Sequence, residues 1–375
     1  MNIDDNNENL DGTSENPQEN PQVNPENTNP APMEHTGQVN LNPPPSITPS
    51  PDVEWGRNRL DLSPVTSLVD KIKDEMAKVI IGQDEMMDLL LAALFTHGHV
   101  LVEGVPGVAK TLSAKLMAQT ISVGFARIQF TPDLMPTDVV GTNVFNMKDS
   151  EFSFNRGPIF SNIVLIDEIN RAPAKTQSAL FEVMEEYQVT VDGTTYPMDF
   201  PFFVVATQNP IEQEGTYKLP EAQLDRFLFK IIVEYPNLEE EKQILNRFKN
   251  DFKITQKDSV KGVCTAVEIK ACQELIEKVH IKDELVNYIA AIIHNTRNNG
   301  DLFLGASPRA SLAILKAAKA VAAMNGRDFV TPDDIQFVAY PVLNHRIILT
   351  PEREMEGYDT KFVVNDIVKK IEVPR

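Results

Sequence analysis

Cysteine is scarce: the 375-residue chain has two, Cys264 and Cys272, eight apart in one helical pattern. Neither has a Cys or His companion at metal-ligand spacing, which argues against a zinc site and for two buried thiols in a reducing cytosol. His97 and His99 flank Gly98 without a His-Glu-x-x-His pattern, so no metal role is expected there. No run of about 18 apolar residues occurs, so no membrane span is expected. The polar amino terminus lacks the apolar stretch of a signal peptide, and a cytoplasmic location is the expectation. Positive charge is also short, with 35 Lys and Arg against 54 Asp and Glu, for a net −19. Ten of the acids, from Asp4 to Glu54, precede the first basic residue, Arg57, which leaves −9 on the rest. An acidic body argues against a broad footprint on a phosphate backbone, so nucleic acid is not an expected partner.

What the chain does have is 42% hydrophobic residues, enough for two or three domains with a substantial core. They are unevenly placed. Residues 1–58 are rich in Asn, Pro, Glu and Gln and poor in large apolar side chains, the composition of a disordered tail. Order is expected from Ser63-Pro64, read as an N-cap followed by a first-turn proline. Strand-like runs follow at His99–Val102, Arg127–Phe130, Ile163–Ile166, Phe202–Ala206 and Phe227–Val233, with helical patterns between several of them. Such an alternation predicts a buried, mostly parallel five-stranded sheet between helices, an α/β core over about 59–236. After Pro236 five amphipathic helical patterns predict a small all-α domain over 237–350. Thr265–Glu268 reads as a capping box, and Ser307-Pro308 and Thr331-Pro332 as cap plus proline. Residues 351–375 carry a signal that is either strand or helix.

The chemistry is concentrated in three strand ends and two arginines. Val100-Leu101-Val102 runs into Gly104-Val105-Pro106-Gly107-Val108-Ala109-Lys110-Thr111-Leu112, an apolar strand, a Gly-containing loop and then Lys-Thr opening a helix. Loop N–H groups and the positive helix end suit a phosphate chain, with Lys110 on the β/γ-phosphates and Thr111 on Mg²⁺. Ala109 stands where the generic pattern has Gly, so φ there is expected to be negative. The strand Ile163–Ile166 ends in Asp167-Glu168. At the carboxyl edge of a parallel sheet these would lie beside the phosphate loop, Asp167 toward Mg²⁺ and Glu168 toward the attacking water. A third strand delivers Thr207-Gln208-Asn209-Pro210, whose amide Asn209 could reach both water and γ-phosphate, or be ordinary turn chemistry. Arg226, beside Asp225, is either half of a local ion pair or an arginine presented to a neighbour's nucleotide. Arg309 opens a helix, a locally unfavourable place for a cation unless it serves an anion.

Together these features resemble the AAA+ ATPases. The match is closest to the MoxR family, through Gly104–Thr111 with Ala before Lys, Gln129–Pro136, Arg156-Gly157-Pro158, Asp167–Pro173, Ala206–Pro210 and Leu219–Phe227. The resemblance covers about residues 64–345. It implies an ATP- and Mg²⁺-dependent P-loop core followed by a helical lid, with Lys110 and Thr111 on phosphate and metal and Asp167 and Glu168 as the Walker B pair. It makes Asn209 sensor 1, Arg226 the arginine finger and Arg309 sensor 2, acting on its own nucleotide or a neighbour's. Ile81-Gly82-Gln83 resembles the stretch that lies against adenine. It also implies an insert over about 131–160 and a hairpin before sensor 1. Tyr187–Tyr196, β-formers broken by Asp192-Gly193, is a hairpin signal on its own. The implied assembly is a homo-oligomer, a hexameric ring. Its implied work is chaperone-like remodelling or metal insertion on protein clients, including von Willebrand factor A domain proteins. The alternatives are a nucleic-acid motor or regulator and a metal-chelatase motor subunit. Tyr187–Tyr196 contains no Lys or Arg, which disfavours the former.

Overall fold

The computed structural model describes residues 59–105, 107–148, 150–209, 217, 219–249 and 260–374. The tail over 1–58 and Pro106 of the Gly104–Thr111 loop lie outside the described residues, as does Pro210.

In chain order the core elements are α1 (Ser63–Ala77), α2 (Asp84–Phe95), β1 (Val100–Gly104), α3 (Lys110–Thr120), β2 (Phe125–Gln129) and α4 (Pro136–Val140). Next come β3 (Gly141–Asn146), β4 (Glu151–Arg156), β5 (Ile163–Asp167), α5 (Ala174–Glu186), β6 (Gln188–Val191), β7 (Thr194–Pro197), β8 (Phe203–Gln208), α6 (Glu221–Leu224) and β9 (Phe229–Val233). The helical part holds α7 (Leu238–Phe248), α8 (Ala266–Glu277), α9 (Asp283–Arg297), β10 (Leu302–Leu304), α10 (Pro308–Met324), α11 (Pro332–Leu343) and β11 (Ile348–Leu349). It closes with α12 (Pro351–Met355) and α13 (Thr360–Lys370), so the ambiguous carboxyl segment is helical, with Asp359 accepting from Phe362 N at 2.7 Å.

The central sheet has five strands in the order β2-β5-β8-β1-β9, and every pairing within it is parallel. Successive side chains of a strand point to opposite faces, and the apolar runs divide accordingly. Val100, Val102, Ile163, Leu165, Phe203 and Val205 join one core with α1–α3, α8–α11 and α13. Leu101, Val164, Ile166, Val204 and Ala206 join a second core with α5. The first core runs without a break from the sheet into the lid, where a stripe of buried alanines on α10 allows close helix approach. Among the described residues no helix is long and apolar enough to cross a membrane.

Local signals explain most boundaries. Thr265 and Glu268 form a capping box on α8, Thr331 and Asp334 one on α11, and Ser307 caps α10. The start of α1 is a correction: Leu62 holds the N-cap position, and the Ser63 N–H donates to Asp61 Oδ1 at 2.9 Å. Asp61 reaches the orphan N–H from upstream and does the work expected of Ser63. The insert over 131–160 folds as α4 and the β3–β4 hairpin. The β6–β7 hairpin turns at Asp192 and Gly193, both left-handed with φ of 49° and 79°.

The scarce sulfur and imidazole groups are structural. Cys264 and Cys272 are buried, and burial pushes their thiols up to about 12 and about 11, far from a reactive thiolate. His99 is buried between the sheet and α5. Its Nδ1 accepts from Val204 N at 3.1 Å and its Nε2 donates to Met184 O at 3.0 Å, which fixes a neutral tautomer. Burial pulls this imidazole down to about 4 from 6.5. A depressed folded-state value means that the unfolded chain takes up the proton first. The stability that His99 contributes is therefore complete above about pH 6.5 and is lost as pH falls toward 4. Between pH 7.5 and 5.5 urea denaturation should show a loss on the order of 1 kcal/mol from this residue. His99→Gln should flatten that part of the profile, and an unchanged slope would contradict the neutral, buried imidazole.

Candidate functional site

The parallel register brings the carboxyl ends of β1, β5 and β8 to one edge, and a cleft of ≈ 420 Å³ opens there. Lys110, Thr111, Asp167, Glu168 and Asn209 line it together, with Gly107, Ala109 and Leu112 of the loop and helix start. Val108 is buried in the core below, and Val105 packs against that core.

The loop reaches α3 through two left-handed residues, Gly107 at φ 93° and Ala109 at φ 61°. The sequence reading required a negative φ at Ala109, and the structure corrects it. The turn into the helix needs the left-handed step, and Ala takes it at a cost of about 1–2 kcal/mol relative to a right-handed conformation. Gly107 has open space where a Cβ would stand, so its need for Gly is conformational. No side chain caps α3. The N–H groups of its first turn therefore need an acceptor from outside the helix.

Lys110 is half-buried. Its Nζ donates to Gly104 O and, at 3.5 Å, to Gln208 O. Burial lowers its pKa, and Asp167, Glu103 and Glu168 work against that shift. It is a desolvated cation resting on neutral carbonyls, and such a cation gains from an anion.

Asp167 is buried at the end of β5. Its Oδ1 accepts from Thr207 Oγ1 at 3.1 Å and Thr111 Oγ1 at 3.4 Å, and its Oδ2 from Arg127 Nε at 2.6 Å. Glu168 follows in a left-handed conformation, φ 57°, which turns it out of the strand; its N–H donates to Thr207 Oγ1 at 3.1 Å. Its Oε2 accepts from Gln129 Nε2 at 2.8 Å and faces Arg171 Nε at 3.2 Å. Adjacent carboxylates thus carry different loads, Asp167 fixed from three sides and Glu168 held only by partly exposed side chains. The hydroxyl of Thr111 beside Asp167 Oδ1 supplies two hard oxygen donors on one side of the cleft, a set that fits Mg²⁺ completed by water and phosphate.

Arg226 and Arg309 lie outside this cleft, and they meet. Arg226 Nη1 donates to Phe181 O at 3.0 Å and pairs with Glu185 Oε2, while Arg309 Nη2 pairs with Glu185 Oε1 at 2.5 Å. The local Asp225–Arg226 pair is not formed: Asp225 pairs with Arg346 at 2.7 Å. The anion at the start of α10 is a carboxylate of α5. Ion pairs this exposed are worth at most about 1 kcal/mol, so both guanidinium groups can change partners cheaply.

Gly82 and Gln83 line a different cleft of ≈ 540 Å³ with Tyr235, Asn237, Tyr340 and Lys361, and it shares no lining residue with the first. Ile81 is half-buried beside it. Glu240, which caps α7 with Asn237, lies against Gly82, where a Cβ would stand 2.3 Å from its Cδ.

Sequence reasoning assigned no role to Arg127, Gln129, Arg171, Thr207 or Glu185. One signal was present for two of them: Arg127 and Gln129 are polar at alternate positions of an otherwise apolar strand and so share a face.

Residues 99–229 match the family model described as ATPase family associated with various cellular activities (AAA), and 294–367 match the AAA lid domain. The chain is 46% identical over 314 residues to the uncharacterized protein YeaC of Bacillus subtilis, across 84% of this chain and 96% of that one. It is 43% identical over 310 residues to Chaperone MoxR1 of Mycobacterium tuberculosis, across 80% and 81%. A solved structure of a candidate ATPase from Cytophaga hutchinsonii superposes with a TM-score of 0.77 at 43% identity, covering 83% of this chain and 96% of that chain.

Ala109→Gly should relieve the left-handed cost while loosening the unfolded chain, for a net gain of about 0.5–1 kcal/mol. Chemical denaturation measures it, and a loss of that size would contradict the left-handed turn.

Proposed function

The chain belongs to the MoxR family of AAA+ ATPases, and from that membership we propose that it hydrolyses ATP within a ring of its own copies to remodel or mature partner proteins. One observation carries the reading: Lys110, Thr111, Asp167, Glu168 and Asn209 share a cleft, while Arg226 and Arg309 stand together outside it on Glu185. Arg127, the guanidinium that lines the cleft, is taken up by Asp167, so in this reading the arginines that complete the site are Arg226 and Arg309 of another copy.

In this reading a triphosphate lies along the loop and the start of α3, and Lys110 exchanges Gly104 O for β/γ-phosphate oxygens. Thr111 and Asp167 would hold Mg²⁺, which when bound draws charge from those oxygens. Glu168 leaves Gln129 and Arg171 to orient the attacking water and accept its proton, with Asn209 fixing the water's other side. The partner subunit's Arg226 and Arg309, released from Glu185, stabilise charge on the transferring phosphoryl group. Because both arginines sit on one carboxylate, they reach the same neighbour, and Arg309 acts in trans with Arg226. The Gly82–Gln83 cleft takes the adenine end once Glu240 moves aside. A hexameric ring and von Willebrand factor A domain clients belong to the same proposal and rest on the family resemblance. So does a cytoplasmic setting. The relative named as a chaperone supports a protein client over a nucleic acid.

Glu168→Gln should bind ATP with near-normal affinity and hydrolyse it at least about 100-fold more slowly; as a trap it should retain protein clients in a pull-down. Arg226→Ala should keep nucleotide binding and lose about 1000-fold in turnover. Normal turnover in either variant would contradict the mechanism.

A further inference from the structure

The segment directly after α11, Asn344-His345-Arg346, grips the stretch that carries Arg226. Asn344 Nδ2 donates to Lys230 O at 2.8 Å, and His345 Nε2 meets Phe227 O at 3.0 Å. Arg346 does the most. Its side chain is 3% exposed, Nε donates to Asp225 Oδ1 at 2.7 Å, Nη1 to Leu228 O at 3.1 Å and Nη2 to Asp225 O at 3.2 Å. It also donates to Val342 O and Phe227 O. Every nitrogen of the guanidinium is committed, and the plane is locked between the lid and the entry to β9.

Asp225 extends the connection. Its Oδ2 accepts from Ser307 Oγ at 2.9 Å, and Ser307 Oγ in turn accepts from Arg309 N at 3.2 Å as the cap of α10. One carboxylate therefore joins three things: the residue preceding Arg226, the helix start that carries Arg309, and a buried guanidinium of the lid. The two outward-facing arginines converge on Glu185 from this common base.

We infer that Arg346, acting through Asp225, is a positioning residue that sets Arg226 and Arg309 as one rigid pair at the subunit boundary, so that the lid and the arginine-bearing loop move together. A planar five-donor group bound at this many points fixes orientation in a way that an ammonium cannot. A buried guanidinium without its carboxylate would be unstable, so Arg346 and Asp225 form a unit. The inference rests on the trans reading given above, and its test separates the two.

Full-length Arg346→Lys keeps the charge and loses the fork; Arg346→Gln removes the buried charge while leaving Asp225 its bond from Ser307, and serves if the first variant does not fold. Each should bind a fluorescent ATP analogue within about twofold of the parent chain and lose at least about tenfold in turnover. The deciding measurement is subunit mixing. Glu168→Gln subunits cannot hydrolyse but carry intact arginines, so mixing them with Arg346→Lys subunits should raise turnover severalfold above either variant alone. Arg226→Ala mixed with Glu168→Gln is the reference. Recovery in both mixtures supports the inference. Recovery in the reference alone overturns it and leaves Arg346 a purely structural residue, as does normal turnover of Arg346→Lys. No recovery in the reference overturns the trans reading, and this inference with it.

Discussion

The parallel pairing of β5, β8 and β1 is the constraint on which the site depends. Val100 lies opposite Val205 and Ile163 opposite Phe203, so three buried strands end at one edge in a fixed stagger. Asp167, Gln208 and Gly104 close those strands, and the loop to α3 leaves from β1, beside β8. A slip of one residue would turn each side chain to the opposite face. The two cores that clamp the sheet forbid it, because Leu165 and Ile166 are fully buried on opposite sides.

On this frame the charges fall into two stations. At the cleft Lys110 rests on neutral carbonyls, Asp167 accepts from two hydroxyls and from Arg127, and Glu168 accepts from Gln129 and faces Arg171. Outside it, two arginines share one carboxylate. The carbonyls under Lys110 are weaker partners than a phosphate would be, since charge-assisted contacts are about twice as strong as neutral ones. Arg226 and Arg309 are not among the residues that line the cleft. In the proposed trans mechanism a second copy would bring the two stations together, and the lid enters because Arg346 binds Asp225 next to Arg226.

Much of this was legible in the sequence. The five runs became the five strands, with ends displaced by up to two residues, because most are rich in β-branched or aromatic residues and bounded by polar or turn residues. Asp192-Gly193 announced its hairpin because few other pairs tolerate two left-handed residues. What was not legible has physical reasons. Ala109 has no chemical mark of a positive φ, since the loop imposes it against the residue's preference. Arg127 and Gln129 matter because β2 lies beside β5, and strand order is a property of the whole chain. Asn344, His345 and Arg346 look like an ordinary polar helix end. Their meaning comes from Asp225, more than a hundred residues earlier. Glu185 is one acid among several on α5, and only the lid's placement singles it out.

The central claim is that one triphosphate is held by one protomer and finished by another. A structure of the assembled protein with ADP and aluminium fluoride tests it most directly. The account predicts Lys110 on the phosphates, Glu168 turned away from Gln129 toward the in-line position, and the partner subunit's Arg226 against the fluoride. Lys110 still on Gly104 O and Arg226 still on Glu185, with the nucleotide bound elsewhere, would contradict it.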